Sequence, residues 1–199
     1  MGFTDLNNGG GGGPGSTGFG TIPTIFSKHL DTNGDGTGIK NAIGDYSATP
    51  EIFYIQPSST EIIRVWRMMV LVSGPKGRFY TDSYGSRDML TNGVQVRAQD
   101  DSGTLIDFTD DVTIKTNGEW GQFCYDAEVY AGSLGNLNTY LRVRWTFANS
   151  GYPLRLVGAN NERLEVVLND DFSLNNGTSD PLVEQYFVVQ GYFEELNGN

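Results

Sequence analysis

The sequence predicts an all-β chain: an antiparallel β-sandwich or jelly roll preceded by an extended glycine-rich N-terminal arm. Three observations lead there. Apolar and polar residues alternate with a period of two across much of the chain, and clusters of Asp, Asn, Gly and Ser break the alternation at short intervals. Helical spacing is nowhere sustained over a helix length. The chain divides into residues 1–20, the arm, residues 21–50, a segment of apolar anchors followed by Asp/Gly turns, and residues 51–199, the sandwich body.

Within the body, Glu61 to Ser73 reads as a long strand, apolar on both faces apart from two arginines, and therefore central. Val94–Ala98 and Thr104–Phe108 flank Asp100-Asp101-Ser102-Gly103, a hairpin signal, and Asn117-Gly118 marks another turn. Leu141, Val143, Trp145 and Phe147 face one way while Arg142, Arg144 and Thr146 face the other. Leu164, Val166 and Leu168 alternate in the same way with Arg163 and Glu165. Val183, Phe187, Val189 and Phe193 share a face, with Tyr186, Val188 and Tyr192 opposite, so the last strand reads as buried on both sides. About eight to ten strands result, with long loops around 74–92, 130–138 and 170–181.

Composition removes several classes of function. A net charge of -11 over 199 residues opposes nucleic-acid binding, which needs a basic stripe to displace counterions, and it repels anionic membrane surfaces. No apolar run is long enough to span a bilayer, and residues 1–20 lack the basic segment and apolar core of a signal peptide. The single cysteine, Cys124, leaves no intrachain disulfide and fits a reducing cytoplasm. Set among aromatics, it reads as a structural thiol. Arg64, Arg67, Arg97, Arg142 and Arg144 are spread among apolar residues and read as salt-bridged strand faces.

Catalytic chemistry finds few footholds. His29 is the only histidine, no serine has an evident partner, and one Cys and one His cannot form a zinc cluster. The pairs Asp100-Asp101, Asp110-Asp111, Asp170-Asp171 and Glu194-Glu195 supply carboxylates of the kind glycosidases use. Neighbours on a strand point to opposite faces, however, so these read as turn and edge residues. We therefore expect no catalytic residues and no enzymatic activity. Asp31-Thr32-Asn33-Gly34-Asp35-Gly36-Thr37 matches the front half of a calcium loop, giving Asp31, Asn33, Asp35 and, from outside the loop, Asp45 as candidate ligands. Its twelfth position is Ala42 where a closing glutamate belongs, and the competing expectation is a run of Asx turns with no bound cofactor.

The arm poses a different problem. Residues 9–13 are all glycine, and ordering backbone costs ~1–2 kcal/mol per residue, most for glycine. Contacts within the arm recover little of this, so we expect a neighbouring subunit to order it. Phe3, Leu6 and Phe19, with Ile22, Ile25 and Phe26 beyond them, are the candidate anchors for partner grooves.

Several stretches carry a resemblance: Asp35-Gly-Thr-Gly38, Lys40-Asn-Ala-Ile-Gly-Asp-Tyr-Ser47, Ile52-Phe-Tyr-Ile-Gln-Pro57 and Leu90-Thr-Asn-Gly-Val-Gln-Val-Arg97, then Tyr140-Leu-Arg-Val-Arg-Trp-Thr-Phe147, Arg155-Leu-Val-Gly158, Asn160-Asn-Glu-Arg-Leu-Glu165, Leu168-Asn-Asp-Asp171 and Tyr186-Phe-Val-Val-Gln-Gly191. Over most of residues 31–196 the chain resembles virion structural proteins of tailed bacteriophages, many of them marine. The resemblance implies a particle component made in the bacterial host cytoplasm and resident in the virion, and it brings no catalytic motif with it. With the arm and the acidic body, it gives the expectation of a capsid decoration or cement protein that clamps neighbouring subunits. Its partners would be the major capsid protein or other virion proteins, and it would form a homo-oligomer, a trimer being favoured. The alternative expectation is a tail or head-fibre component, either an adaptor or a receptor-binding jelly roll.

Overall fold

The computed structural model describes residues 23–42, 44–74, 92–109, 124–131, 139–147, 152–169 and 185–194. Among these residues ten strands form two antiparallel sheets packed face to face, a β-sandwich: β1 (Ile25–His29), β2 (Glu51–Ile55), β3 (Ile62–Gly74), β4 (Val94–Asp100), β5 (Gly103–Asp107), β6 (Cys124–Ala131), β7 (Thr139–Thr146), β8 (Leu154–Val157), β9 (Arg163–Leu168) and β10 (Gln185–Phe193). The larger sheet runs β1-β10-β3-β7-β6, and β8 also pairs with β3. The smaller sheet runs β2-β9-β4-β5.

The expected central strand is central. β3 lies against β10 on one side and against β7 and β8 in succession on the other. Residues Arg67 to Gly74 meet β7 and Ile62 to Val65 meet β8, so β7 and β8 form a single line interrupted between Thr146 and Leu154. Pro153 sits in that interruption, where a missing N–H costs no ladder bond.

Alternation predicts the interior. Val65, Met68 and Val70 of β3, Phe187 and Val189 of β10, and Trp145 of β7 face Phe53 and Ile55, Val94, Val96 and Ala98, and Leu164, Val166 and Leu168 from the smaller sheet, all buried. Phe53 and Phe187 meet across the layers, with ring centroids 5.4 Å apart and nearly edge-on. Burying each such side chain contributes about 1.5–3 kcal/mol. On β10, Val188 and Tyr192 are only half-buried, and a register shift lies between Gln190 and Gly191.

The segment 21–50, expected as anchors and turns, contains a strand. β1 pairs with β10 from Ile25↔Tyr192 to His29↔Val188, and the Leu30 N–H still donates to the Phe187 carbonyl at 2.8 Å. One residue later the chain changes sheets. The Asp31 N–H donates to the Tyr54 carbonyl at 3.2 Å, and the Tyr54 N–H returns to the Asp31 carbonyl at 2.8 Å. This crossing ties the two layers together along one lateral edge. The 94–108 hairpin is present as β4 and β5. The Asn117-Gly118 turn, the faces of Leu141 and Val143, and most of the three long loops lie outside the residues or side chains described.

Candidate functional site

The Asp31–Thr37 loop folds over the outside of the smaller sheet. The Asp31 carboxylate is fully buried and accepts from three backbone amides: Asn33 at 3.2 Å and Gly34 at 2.5 Å on Oδ1, and Gly38 at 2.7 Å on Oδ2. Thr32 closes the loop by exchanging bonds with Ile39, and the Gly34 carbonyl accepts the Gln56 N–H at 3.0 Å. Asp35 is turned away onto Thr37, and Asp45 onto Ser47. The four candidate calcium ligands thus serve different local bonds: Asp31 staples backbone, Asn33 donates to the Thr37 hydroxyl at 3.2 Å, and Asp35 and Asp45 each cap their own turn. Among the described residues no group of three or more His, Cys, Asp or Glu is placed to hold a metal ion.

Asp35 and Asp45 share one device that recurs twice more. In Asp35-x-Thr37, Asp45-x-Ser47, Asp100-x-Ser102 and Asp107-x-Thr109, Oδ1 accepts both the N–H and the hydroxyl of the residue two positions on. The hydroxyl bond, followed by the amide bond, holds Asp35, Asp45 and Asp100 below the ordinary aspartate value of 3.8. Asp-x-Ser/Thr is a sequence pattern, and it marks these carboxylates as turn formers more sharply than the adjacent acidic pairs do. Of those pairs, Asp100 is spent on its turn, Asp101 accepts from Asn161 at 2.7 Å, and Glu194 is held by arginines. Asp110, Asp111, Asp170, Asp171 and Glu195 lie outside the described residues.

One buried charge was not expected. Glu165 points to the outer face of the smaller sheet yet is fully buried. Register places Tyr54, Glu165, Arg97 and Asp107 in one cross-strand row over four strands. The Arg97 Nε donates to Glu165 Oε2 at 2.8 Å, Arg163 Nε donates to Oε1, and Arg163 also lies over the Tyr54 ring at 5.9 Å. Two guanidinium groups with access to water thus shield one carboxylate without it.

Of the candidate anchors, Phe3, Leu6, Phe19 and Ile22 lie outside the described residues. Ile25 is 69% exposed on edge strand β1. Phe26 turns inward onto Phe193, with centroids 5.3 Å apart and the Lys28 ammonium near both rings. Phe26 therefore packs β1 against its own body, whereas Ile25 faces outward. His29 is exposed on the same strand.

At the opposite lateral edge lies an apolar groove of about 340 Å³, which the sequence reading missed. It opens where the β7–β8 line is interrupted. Ile106 and Phe108 follow from β5, Phe147 from β7, and Tyr152, Pro153 and Leu154 lead into β8. Phe108 and Phe147 form its buried floor, with ring centroids 4.9 Å apart, while Ile106 is 39% and Tyr152 82% exposed. Arg155 stands at the rim and shares Glu194 with Arg64, at 3.3 and 2.5 Å respectively. The Arg64 hydrogen bond holds the Glu194 carboxyl below its usual range. The available signal was Tyr152-Pro153, a strand break placed between two apolar runs.

Comparison with family models, with curated proteins and with solved structures finds no match to this chain.

Proposed function

We propose that this chain is a non-enzymatic virion structural protein of jelly-roll topology, a capsid decoration or cement protein that clamps neighbouring capsid subunits through its N-terminal arm. Strand order is the observation that carries the reading. With β7 and β8 taken as one line and β6 as an added edge strand, the sheets read 1-10-3-7/8 and 2-9-4-5. That is the order two interleaved Greek keys generate, the architecture found among viral capsid and lectin domains.

Fold alone does not fix function. Further support comes from how the buried polar side chains are used. Among the described residues, buried Asp31, Thr109 and Glu165 hold a loop, a turn and an ion pair, and each is occupied by structural bonds. The arm leads into an edge strand, from where it can leave the sandwich without disturbing the core. An acidic exterior suits a component displayed on a particle surface.

Two measurements test the reading. Quantified protein from purified particles should give on the order of hundreds of copies, as closed icosahedral symmetry demands of a decoration protein. A handful of copies would instead support the tail or head-fibre alternative, which the lectin use of the same topology makes the second choice. Deleting residues 1–20 should leave a folded body that no longer binds capsids, and undiminished occupancy would remove the arm from the proposal.

A further inference from the structure

We infer that the groove between β5 and the β7–β8 interruption is the seat for the N-terminal arm of a second copy of this chain, with Phe3 in the groove and Asp5 on Arg155. The inference rests on the virion reading only for the idea that the arm acts between molecules. The groove itself stands on its own geometry.

Four observations converge. The groove is apolar, with a buried Phe108–Phe147 floor and an exposed Tyr152 wall, and its 340 Å³ is ample for an aromatic side chain. Among the described residues its rim carries more positive than negative charge. Among the described residues Arg64 and Arg155 face one carboxylate, Glu194, and Arg155 remains 41% exposed in a chain of net charge -11. Residues 1–22 contain one charged side chain, Asp5, and it lies two positions from Phe3. In an extended strand Phe3 and Asp5 share a face about 7 Å apart, the arrangement that fits an aromatic pocket with a guanidinium at its lip.

The arm leaves from β1, and β1 and β5 lie at opposite lateral edges of the sandwich. The arm edge of one copy therefore faces the groove edge of the next when copies stand side by side, a heterologous contact that forms a ring if the rotation between copies closes and a filament if it does not. Residues 7–22 span roughly 50 Å when extended, enough tether to cross between neighbours.

The test uses the full-length protein. Self-association is measured by sedimentation velocity over a concentration series for wild type, Asp5→Arg, Arg155→Asp, the Asp5→Arg/Arg155→Asp double variant and Phe3→Ser, with circular dichroism to verify folding. Wild type should self-associate. Each single variant should weaken association about tenfold or more, and the double variant should recover most of the loss because the charge pair is restored in reverse. Phe3→Ser lies in the arm, so its effect stays readable even if Arg155→Asp disturbs the body. The inference is overturned by a wild type that stays monomeric at every concentration, by Phe3→Ser or Asp5→Arg associating like wild type, or by a folded double variant that fails to recover. A monomer whose groove is filled by its own residues 1–22 or 110–123 would give the first of these results. Failure of the wider reading looks different: correct charge-swap behaviour with no binding to any particle leaves the groove assignment intact and removes the virion role.

Discussion

The two lateral edges of this sandwich are built on opposite principles. At the β1/β2 edge the chain crosses from one sheet to the other at Leu30–Asp31, and the buried Asp31 carboxylate fastens the loop that follows by accepting hydrogen bonds from three backbone amides. At the β5/β8 edge no described strand joins the layers. Contact there is the Phe108–Phe147 stack, beside an apolar groove with exposed Ile106 and Tyr152. One edge spends polar chemistry on shutting itself, and the other leaves apolar surface unspent. Exposed apolar surface of this kind is what the proposed docking of a second copy would cover.

The closed edge should be the more sensitive to substitution. Asp31→Ala leaves the Asn33, Gly34 and Gly38 amides without their acceptor in a buried position, and we expect a loss of about 3 kcal/mol in denaturant unfolding. A loss within experimental error would show that the loop does not depend on this carboxylate.

Two glycines in the same loop separate backbone strain from steric fit. Gly34 has φ +79°, and a Cβ there would lie 2.1 Å from the Tyr54 ring. Gly36 has φ +94° and open space around it. Gly34→Ala therefore combines backbone strain with a clash and should cost about 2–3 kcal/mol, whereas Gly36→Ala carries the strain alone, about 1 kcal/mol. Equal costs would mean that Tyr54 moves freely and the loop is not clamped to the sheet.

The smallest effect belongs to the open edge, at the β4–β5 turn. The Ser102 hydroxyl and amide hold Asp100 below 3.8. A carboxylate depressed in the folded state contributes stability that is complete above its unfolded value and disappears as pH falls through the folded one. Ser102→Ala should thus lower the urea midpoint slightly at neutral pH and leave it unchanged once the pH is well below 3.8. A larger deficit in acid than at neutrality would reverse the assignment of which form the turn favours.

How much of this was legible in the sequence depended on how far apart the causes lie. Leu164, Val166 and Leu168 announce their face by simple alternation, and the Asp100–Gly103 turn announces the hairpin beside it. β3 declares itself central because both its faces are apolar. The placement of Ile25–His29 in a sheet was not legible, because its partner is β10, far along the chain, and its own five residues are mostly exposed. Glu165 looked like an outward polar residue, and it is one. Its burial follows from Arg97, 68 positions away, folding over it. The candidate calcium loop was legible as a loop, and of its two readings the Asx turns are the one whose bonds are seen, with Asp31, Asp35 and Asp45 each accepting from nearby amides. The groove depends on a break in β8's line that only pairing with β3 reveals.

The pairing of β10 between β1 and β3 has a consequence for biosynthesis. Ile25 and Ile63 both find their ladder partners in residues beyond 185, at Tyr192 and Phe193. On the ribosome, those two early strands therefore wait with unpaired edges while more than a hundred further residues are added, a long-range closure of the kind that slows folding. Until residue 193 has emerged from the exit tunnel the larger sheet lacks its second strand, and nascent chains crowded on one message are at their most vulnerable to pairing with each other.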